Sequence, residues 1–355
     1  MLGKVIFILK IITVIKKTNY YKIYIISNNF LLLKMEKKKI ALIFGVSGQD
    51  GSYLAHLLLK KKYTVIGITR KKTNKNLFRL INLKIINKIK ILKGTALNIK
   101  FLKKLIKNNS RIREIYYLAG DSSVINSFKR PDLSLTSNTF GILNILTSVK
   151  NLNKKIKVYN AASGQFFGNN KKNYFDEKSQ INPQSPYGVS KASGYWLTKI
   201  FRENYNIYSC SGILFNHESP LRSNEFVTKK IINTALKMKD NKKLNLHLGD
   251  VDVYRDWGWA PEYVEAMWLM LQQKIPMDFV IGTGKKHSIR EFANEVFKLL
   301  KINRNRLKFN TKSLKRKKDI KSYKANITLI KKKLRWKPKT LFKKIIFKMV
   351  NQELF

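Results

Sequence analysis

Tyr187 and Lys191 stand four residues apart in Tyr187-Gly-Val-Ser-Lys191, a spacing that puts a phenol and an ammonium on one face of a helix. An adjacent ammonium favours the phenolate, so the expectation is a tyrosine pKa lowered from about 10 towards the range of a working base. Such pairs also occur on ordinary helix surfaces. Ser163 gives this one a context, because Ala161-Ala-Ser163-Gly-Gln165-Phe-Phe-Gly168 leaves a hydroxyl at the end of an apolar run, where parallel sheets bind ligands. Serine, tyrosine and lysine beside a nicotinamide form a hydride-transfer set, in which the tyrosine takes a hydroxyl proton as the hydride leaves carbon.

A second motif could hold such a cofactor. Gly45-Val46-Ser47-Gly48-Gln49-Asp50-Gly51 follows the apolar run Ile40–Phe44 and precedes a helical pattern. In that setting glycines let the backbone approach a pyrophosphate, which rests on the helix N-terminus. Elsewhere the same spacing would be an ordinary tight turn. The second apolar run ends in Gly67-Ile-Thr-Arg70-Lys71-Lys72, with no acid where an NAD enzyme would hold its ribose hydroxyls. Arg70 suits a 2′-phosphate, so NADP is expected.

These side chains need a scaffold, and the sequence supplies the pattern of one. Strands are expected at 40–44, 64–69, 89–93, 114–119, 155–161 and 208–215, with helices at 53–61, 101–107, 136–150 and 188–204. Strands separated by helices of this length imply a doubly wound, Rossmann-type α/β fold with a parallel sheet. The expected division is a nucleotide-binding part over 35–215 and a smaller substrate lobe over 216–355, interleaved with the last strands as one folding unit.

The chain has 355 residues and a formal charge of +51, which in many proteins marks a nucleic-acid partner. Here lysine outnumbers arginine 59 to 13 and is scattered without interleaved aromatic platforms, so no specific nucleic-acid function is expected. A single cysteine, Cys210, excludes an intrachain disulfide and a cysteine zinc cluster. A reducing, cytoplasmic location and no metal are expected. Residues 1–34 are apolar, but lysines cut the runs well below the ~20 residues of a membrane span and interrupt any signal-peptide core. We read them as an extension that is non-native, from a start placed too far upstream of Met35, or without structure of its own, or else as a weak membrane-surface segment.

From Lys38 to Met349 the sequence resembles the extended short-chain dehydrogenases and, within them, the GDP-mannose 4,6-dehydratases. The resemblance rests on GVSGQDGSYL (45–54), SPYGVSK (185–191), GILFNHESP (212–220), FVTKKI (226–231), RDWG (255–258), YVEAMWLMLQ (263–272) and WKP (336–338). It implies that Ser163 hydrogen-bonds the sugar O4, that Tyr187 is the base there, and that Lys191 also holds the nicotinamide ribose. It places Leu118, Ala119, Gly120, Asp121, Ser122, His217 and Arg222 at the cofactor, and Ser122, Asn216, Lys230 and Arg255 at the GDP-sugar. An arginine suits a diphosphate through its bidentate geometry, although Arg255 also reads as a salt-bridge partner of Asp256. Trp257, Trp259 and Trp268 read as packing residues. A homodimer or homotetramer is implied.

Three positions depart from the family pattern. Gln165 stands where the family has the glutamate that removes the C5 proton, and an amide cannot accept that proton. Thr95 follows Gly94 in place of an aspartate, and Asp121 replaces a neutral residue beside the nicotinamide. The expected activity is therefore conversion of GDP-mannose to GDP-4-keto-6-deoxymannose, slowed at the elimination step. The alternatives are a GDP-sugar reductase or epimerase, and an inactive homologue that binds NADP.

Overall fold

Short runs rich in β-branched and aromatic residues become the strands of one sheet. The computed structural model describes residues 21–26, 29–34, 38–169, 174–309 and 320–355. Its central sheet has seven strands in the order Phe279–Ile281, Ser209–Leu214, Lys157–Ser163, Ile112–Tyr117, Ile40–Phe44, Thr64–Thr69, Lys90–Lys93. Every neighbouring pair is parallel. A parallel sheet is covered on both faces, which is why Ile40–Phe44 and Ser209–Leu214 are buried at every residue rather than at alternate ones. Ile40–Phe44 pairs with Thr64–Thr69 on one side and Ile112–Tyr117 on the other, so the strand order reverses there and opens a crevice at the carboxyl ends.

The expected element types hold, with shifted ends. The strand expected at 155–161 runs from Lys157 to Ser163, which puts Ser163 on the last rung rather than in the loop beyond it. The long helix spans Pro186–Tyr205; Ser185 caps it by accepting a hydrogen bond from the Gly188 N–H, and Pro186 occupies the first turn, where a missing N–H costs nothing. That cap fixes the start of the helix one residue before Tyr187. The helix at 136–150 begins as a π-turn over Thr136–Phe140 and continues as Gly141–Leu152. A helix over Asn74–Asn82 was not anticipated.

Residues beyond 216 contribute both to the central sheet and to a further core. Phe279–Ile281 adds the seventh strand beside Ser209–Leu214. Helices Val227–Asp240, Ile289–Leu299 and Phe342–Val350 surround a further core that includes Trp257 and Trp259, in keeping with packing roles for those indoles. Ile40–Phe355 packs as one unit. Within the segment read as an extension without structure, Tyr21–Ile26 and Asn29–Lys34 instead form an antiparallel hairpin of their own. The Met35 opening lies outside the described residues.

Candidate active site

The glycine turn is built by close approach. Gly45 sits at φ +85°, and a Cβ there would meet the Leu118 carbonyl and the Ala119 N at 2.8 Å. A Cβ on Gly51 would lie 2.2 Å from the Gly45 oxygen, so the helix Gln49–Lys60 can start against the turn only with glycine at that position. Gly48 is the N-cap and no side chain caps the first-turn N–H groups. They open onto a cavity of about 940 Å³ at the carboxyl end of the sheet, the donor arrangement that holds a pyrophosphate. The residues present therefore fit a dinucleotide.

Gln49 and Asp50, between those glycines, bind a segment far along the chain. The Gln49 amide donates to the His217 carbonyl and accepts from the Ser219 hydroxyl at 2.8 Å. His217 Nδ1 donates to the Phe215 carbonyl at 2.8 Å, and Nε2 faces both Asp50 carboxylate oxygens at 2.9 Å. Both ring nitrogens thus face oxygens that can accept, an arrangement that favours the imidazolium opposite the carboxylate. Burial opposes charge on each partner, yet the Asp50 carboxylate holds His217 above its usual pKa. The imidazolium in turn takes Asp50 down to about 2. The GVSGQDG and NHESP motifs are two halves of one polar lock.

Ser163, Gln165, Tyr187 and Lys191 all line the cavity, with Leu118, Gly120 and Ser122 on the cofactor side. The expected fall in the Tyr187 pKa is not observed. Burial pushes the phenol up to about 12, and the Ser163 hydroxyl that hydrogen-bonds to it only moderates the rise. Lys191 explains the difference. Its Nζ donates to the Ala161 carbonyl at 2.8 Å and lies 5.8 Å from the Tyr187 ring centre, while burial pulls its own pKa down to about 8.

The cations sort differently from the sequence expectation. Arg255 is buried on the cavity wall and donates to the carbonyls of Tyr254 and Ile320 at 2.9 and 2.6 Å. Asp256 accepts from Thr283, Gly284 and Ala325, a buried anchor for two loops rather than a partner for Arg255. Arg222 also lines the cavity, stacked 3.5 Å from the Phe226 ring centre and paired with Glu218. Lys230 does not line it; its ammonium is exposed and bonds the His247 carbonyl. Arg70 is likewise exposed and off the wall, just past Thr64–Thr69.

Arg79 was missed. It lies on the unanticipated helix and reaches the Ser47 carbonyl, the Leu221 carbonyl and the Ser223 hydroxyl at 2.7–3.0 Å, clamping the glycine turn to the loop after His217. Its only sequence signal is an arginine one helical segment beyond Arg70. Val46, Ser47 and Ala119 support the turn from behind: Val46 packs against Gly67, and Ser47 bonds Thr69 at 3.1 Å.

The remaining departures have local explanations. The Asp121 carboxylate accepts from the Ser123 N–H, and Thr95 accepts from the Leu97 N–H, so both cap loops. Among the described residues no group of three or more His, Cys, Asp or Glu is placed to hold a metal ion, and no helix is long and apolar enough to cross a membrane.

A family profile described as GDP-mannose 4,6 dehydratase matches residues 42–349. GDP-mannose 4,6 dehydratase 1 of Arabidopsis thaliana is 37% identical over 330 residues, covering 90% of this chain and 91% of the relative. The human GDP-mannose 4,6 dehydratase is 36% identical over 343 residues, with 89% and 92% covered. Among solved structures, the fold is similar to a dTDP-glucose 4,6-dehydratase of Bacillus anthracis in complex with NAD, at TM-score 0.77 and 21% identity, covering 88% of this chain and 96% of that one. A UDP-glucose 4-epimerase of Thermotoga maritima with UDP-glucose superposes at 0.78 with 20% identity, covering 88% and 98%. On the profile match and the extent of identity to these dehydratases, the chain belongs to the GDP-mannose 4,6-dehydratase family.

Proposed function

We propose that this chain binds NADP and converts GDP-mannose to GDP-4-keto-6-deoxymannose. The observation that carries the reading is the convergence of Ser163, Tyr187 and Lys191 with the glycine turn in one cavity, whose wall continues to Asn216 and Arg255. When bound, the nicotinamide accepts the C4 hydride and gives it back at C6. Gly45, Gly48, Gly51 and the first-turn N–H groups would hold its pyrophosphate, and Lys191 its ribose. Tyr187, entering the step as its phenolate, takes the O4 proton while Ser163 hydrogen-bonds O4. The resulting ketone acidifies the C5 proton, whose loss together with the C6 hydroxyl is the dehydration. Arg255 supplies a fixed cation for the diphosphate, its guanidinium oriented among the described residues by the Tyr254 and Ile320 carbonyls.

Incubating the purified protein with NADP and GDP-mannose and weighing the product tests this reading. A product lighter by one water is expected. A product of unchanged sugar mass would mean epimerisation, and no turnover with NADP would leave a reductase, which needs the reduced cofactor and a keto-sugar, or an inactive binder. Gln165→Glu is expected to speed dehydration at least about tenfold, within the range that a positioned general base supplies, with cofactor affinity unchanged. A wild-type rate equal to that of the glutamate variant would show that the amide is no handicap.

Arg70 supports NADP over NAD, since a charged contact to the 2′-phosphate is worth about tenfold in affinity. Fluorescence titration of both cofactors should show the preference, and Arg70→Ala should erase it. Arg79→Ala, which opens the clamp, should weaken both cofactors alike. Equal affinities in the wild type would dismiss the NADP assignment.

A second copy of the chain is the proposed partner. Exposed Ile125, Phe128, Leu133, Val189, Trp196 and Ile200 lie on mutually packed helices flanking the sheet, an apolar surface suited to a homodimer.

A further inference from the structure

Gln165 is not isolated. Its Nε2 donates to the Tyr323 hydroxyl at 2.7 Å, and that hydroxyl donates to Asn216 Oδ1 at 2.7 Å. Tyr323 comes from a distant part of the chain. Its position is fixed by the parallel pairing of Lys324–Ala325 with Tyr174–Phe175 and by the Ala325 N–H donating to buried Asp256. The ring packs on Phe215, 5.0 Å between centres, and the Arg255 guanidinium lies 5.2 Å from the ring centre. Tyr323 lines the cavity that holds Ser163 and Tyr187, close enough that charge on one phenol bears on the other. A second phenol therefore stands beside the one catalytic position whose side chain cannot carry a proton.

Resting on the dehydratase reading, we propose that Tyr323 is the proton-transfer residue of the elimination, acting at C5 and O6 where Gln165 cannot. The Tyr323 O–H gives its proton to O6 as the C6–O6 bond breaks and water leaves. The phenolate oxygen accepts the C5 proton, and the C5–H electron pair becomes the C5=C6 double bond. Tyr323 begins and ends this step as a neutral phenol. Once C6 has been reduced by the hydride taken from C4, the same phenol returns a proton to C5. The O4 proton captured by Tyr187 then restores Tyr323, so the O4 proton is the one that balances the departing water. Gln165 Nε2–H, which already donates to the Tyr323 oxygen, also donates to the transient phenolate.

Tyr323→Phe removes one oxygen and keeps the ring against Phe215. With full-length protein, NADP and GDP-mannose, two quantities are followed: water loss by product mass, and reduced cofactor by absorbance as a report of C4 oxidation. The expected result is dehydration slowed about 10²–10⁴-fold, with cofactor affinity and C4 oxidation retained, and restored at least about tenfold in the double variant Gln165→Glu/Tyr323→Phe. Dehydration by Tyr323→Phe at the wild-type rate would overturn the proposal alone. So would equal losses of oxidation and dehydration that Gln165→Glu does not rescue, since those mark a structural role. A wild-type protein that reduces cofactor but never loses water would overturn the proposal together with the dehydratase reading.

Discussion

Tyr187→Phe should slow C4 oxidation by about 10²–10⁴-fold, roughly 3–5 kcal/mol of barrier, while cofactor binding stays at the wild-type level. Single-turnover formation of reduced cofactor measures the first quantity, and a binding titration the second. The two should separate because the phenol stands on the cavity wall while the proposed pyrophosphate contacts come from the glycine turn. Lys191→Ala offers the contrast: it should reduce both, because the proposed role gives its ammonium a part on the catalytic wall and another at the cofactor ribose. An undiminished rate in Tyr187→Phe would move the O4 proton to another group and leave Ser163 and Lys191 without their role.

The second large effect is on stability. Asp50→Asn should cost about 3 kcal/mol, between the ~1 kcal/mol of an exposed ion pair and the 3–5 kcal/mol of a fully buried one. The intermediate value follows from exposure, since the His217 side chain is 9% accessible and that of Asp50 is 21%. The pH dependence carries the sign. Asp50 is depressed to about 2, so its contribution is present above the ordinary value of 3.8 and disappears as pH falls through 2. His217 is raised, so its contribution is complete below 6.5 and is lost as pH rises through its folded value. The pair stabilises most between about pH 4 and 6.5. Thermal melts across pH should show that maximum in the wild type and flatten in Asp50→Asn; identical profiles would mean that the pair is not ionised.

Much of the scaffold was legible because it obeys short-range rules. Ile40–Phe44 and Thr64–Thr69 are continuous apolar runs, and such runs between helical segments have few alternatives to a parallel sheet. Ser163, Tyr187 and Lys191 were legible because their spacing is local and their motif specific. Asn74–Asn82 was not, since it buries only Leu77 and Leu80 among lysines and asparagines, too few positions to establish a helical period. Arg79 was lost with it. The behaviour of the Tyr187 phenol was misread for a different reason: spacing brings Lys191 to the same helix face, but the carbonyl that captures its ammonium belongs to another strand. Tyr323, one of 16 tyrosines, carries no motif at all. Its significance depends on tertiary placement beside Gln165.

The lock between Asp50 and His217 also bears on when the protein becomes competent. Its partners are 167 residues apart, and Gln49 and Ser219 are 170 apart. Closing so long a loop costs little more entropy than closing one half its length, because the penalty grows only logarithmically. The delay lies in time instead, since non-local pairings form late and slow the folding of sheet proteins. A chain emerging from the ribosome can pair Ile40–Phe44 with Thr64–Thr69 long before His217 exists to hold the turn between them. Cofactor capture should therefore be a late event in the life of the molecule, and a chain truncated before His217 should hydrogen-bond its first strands yet have no fixed cradle for the dinucleotide.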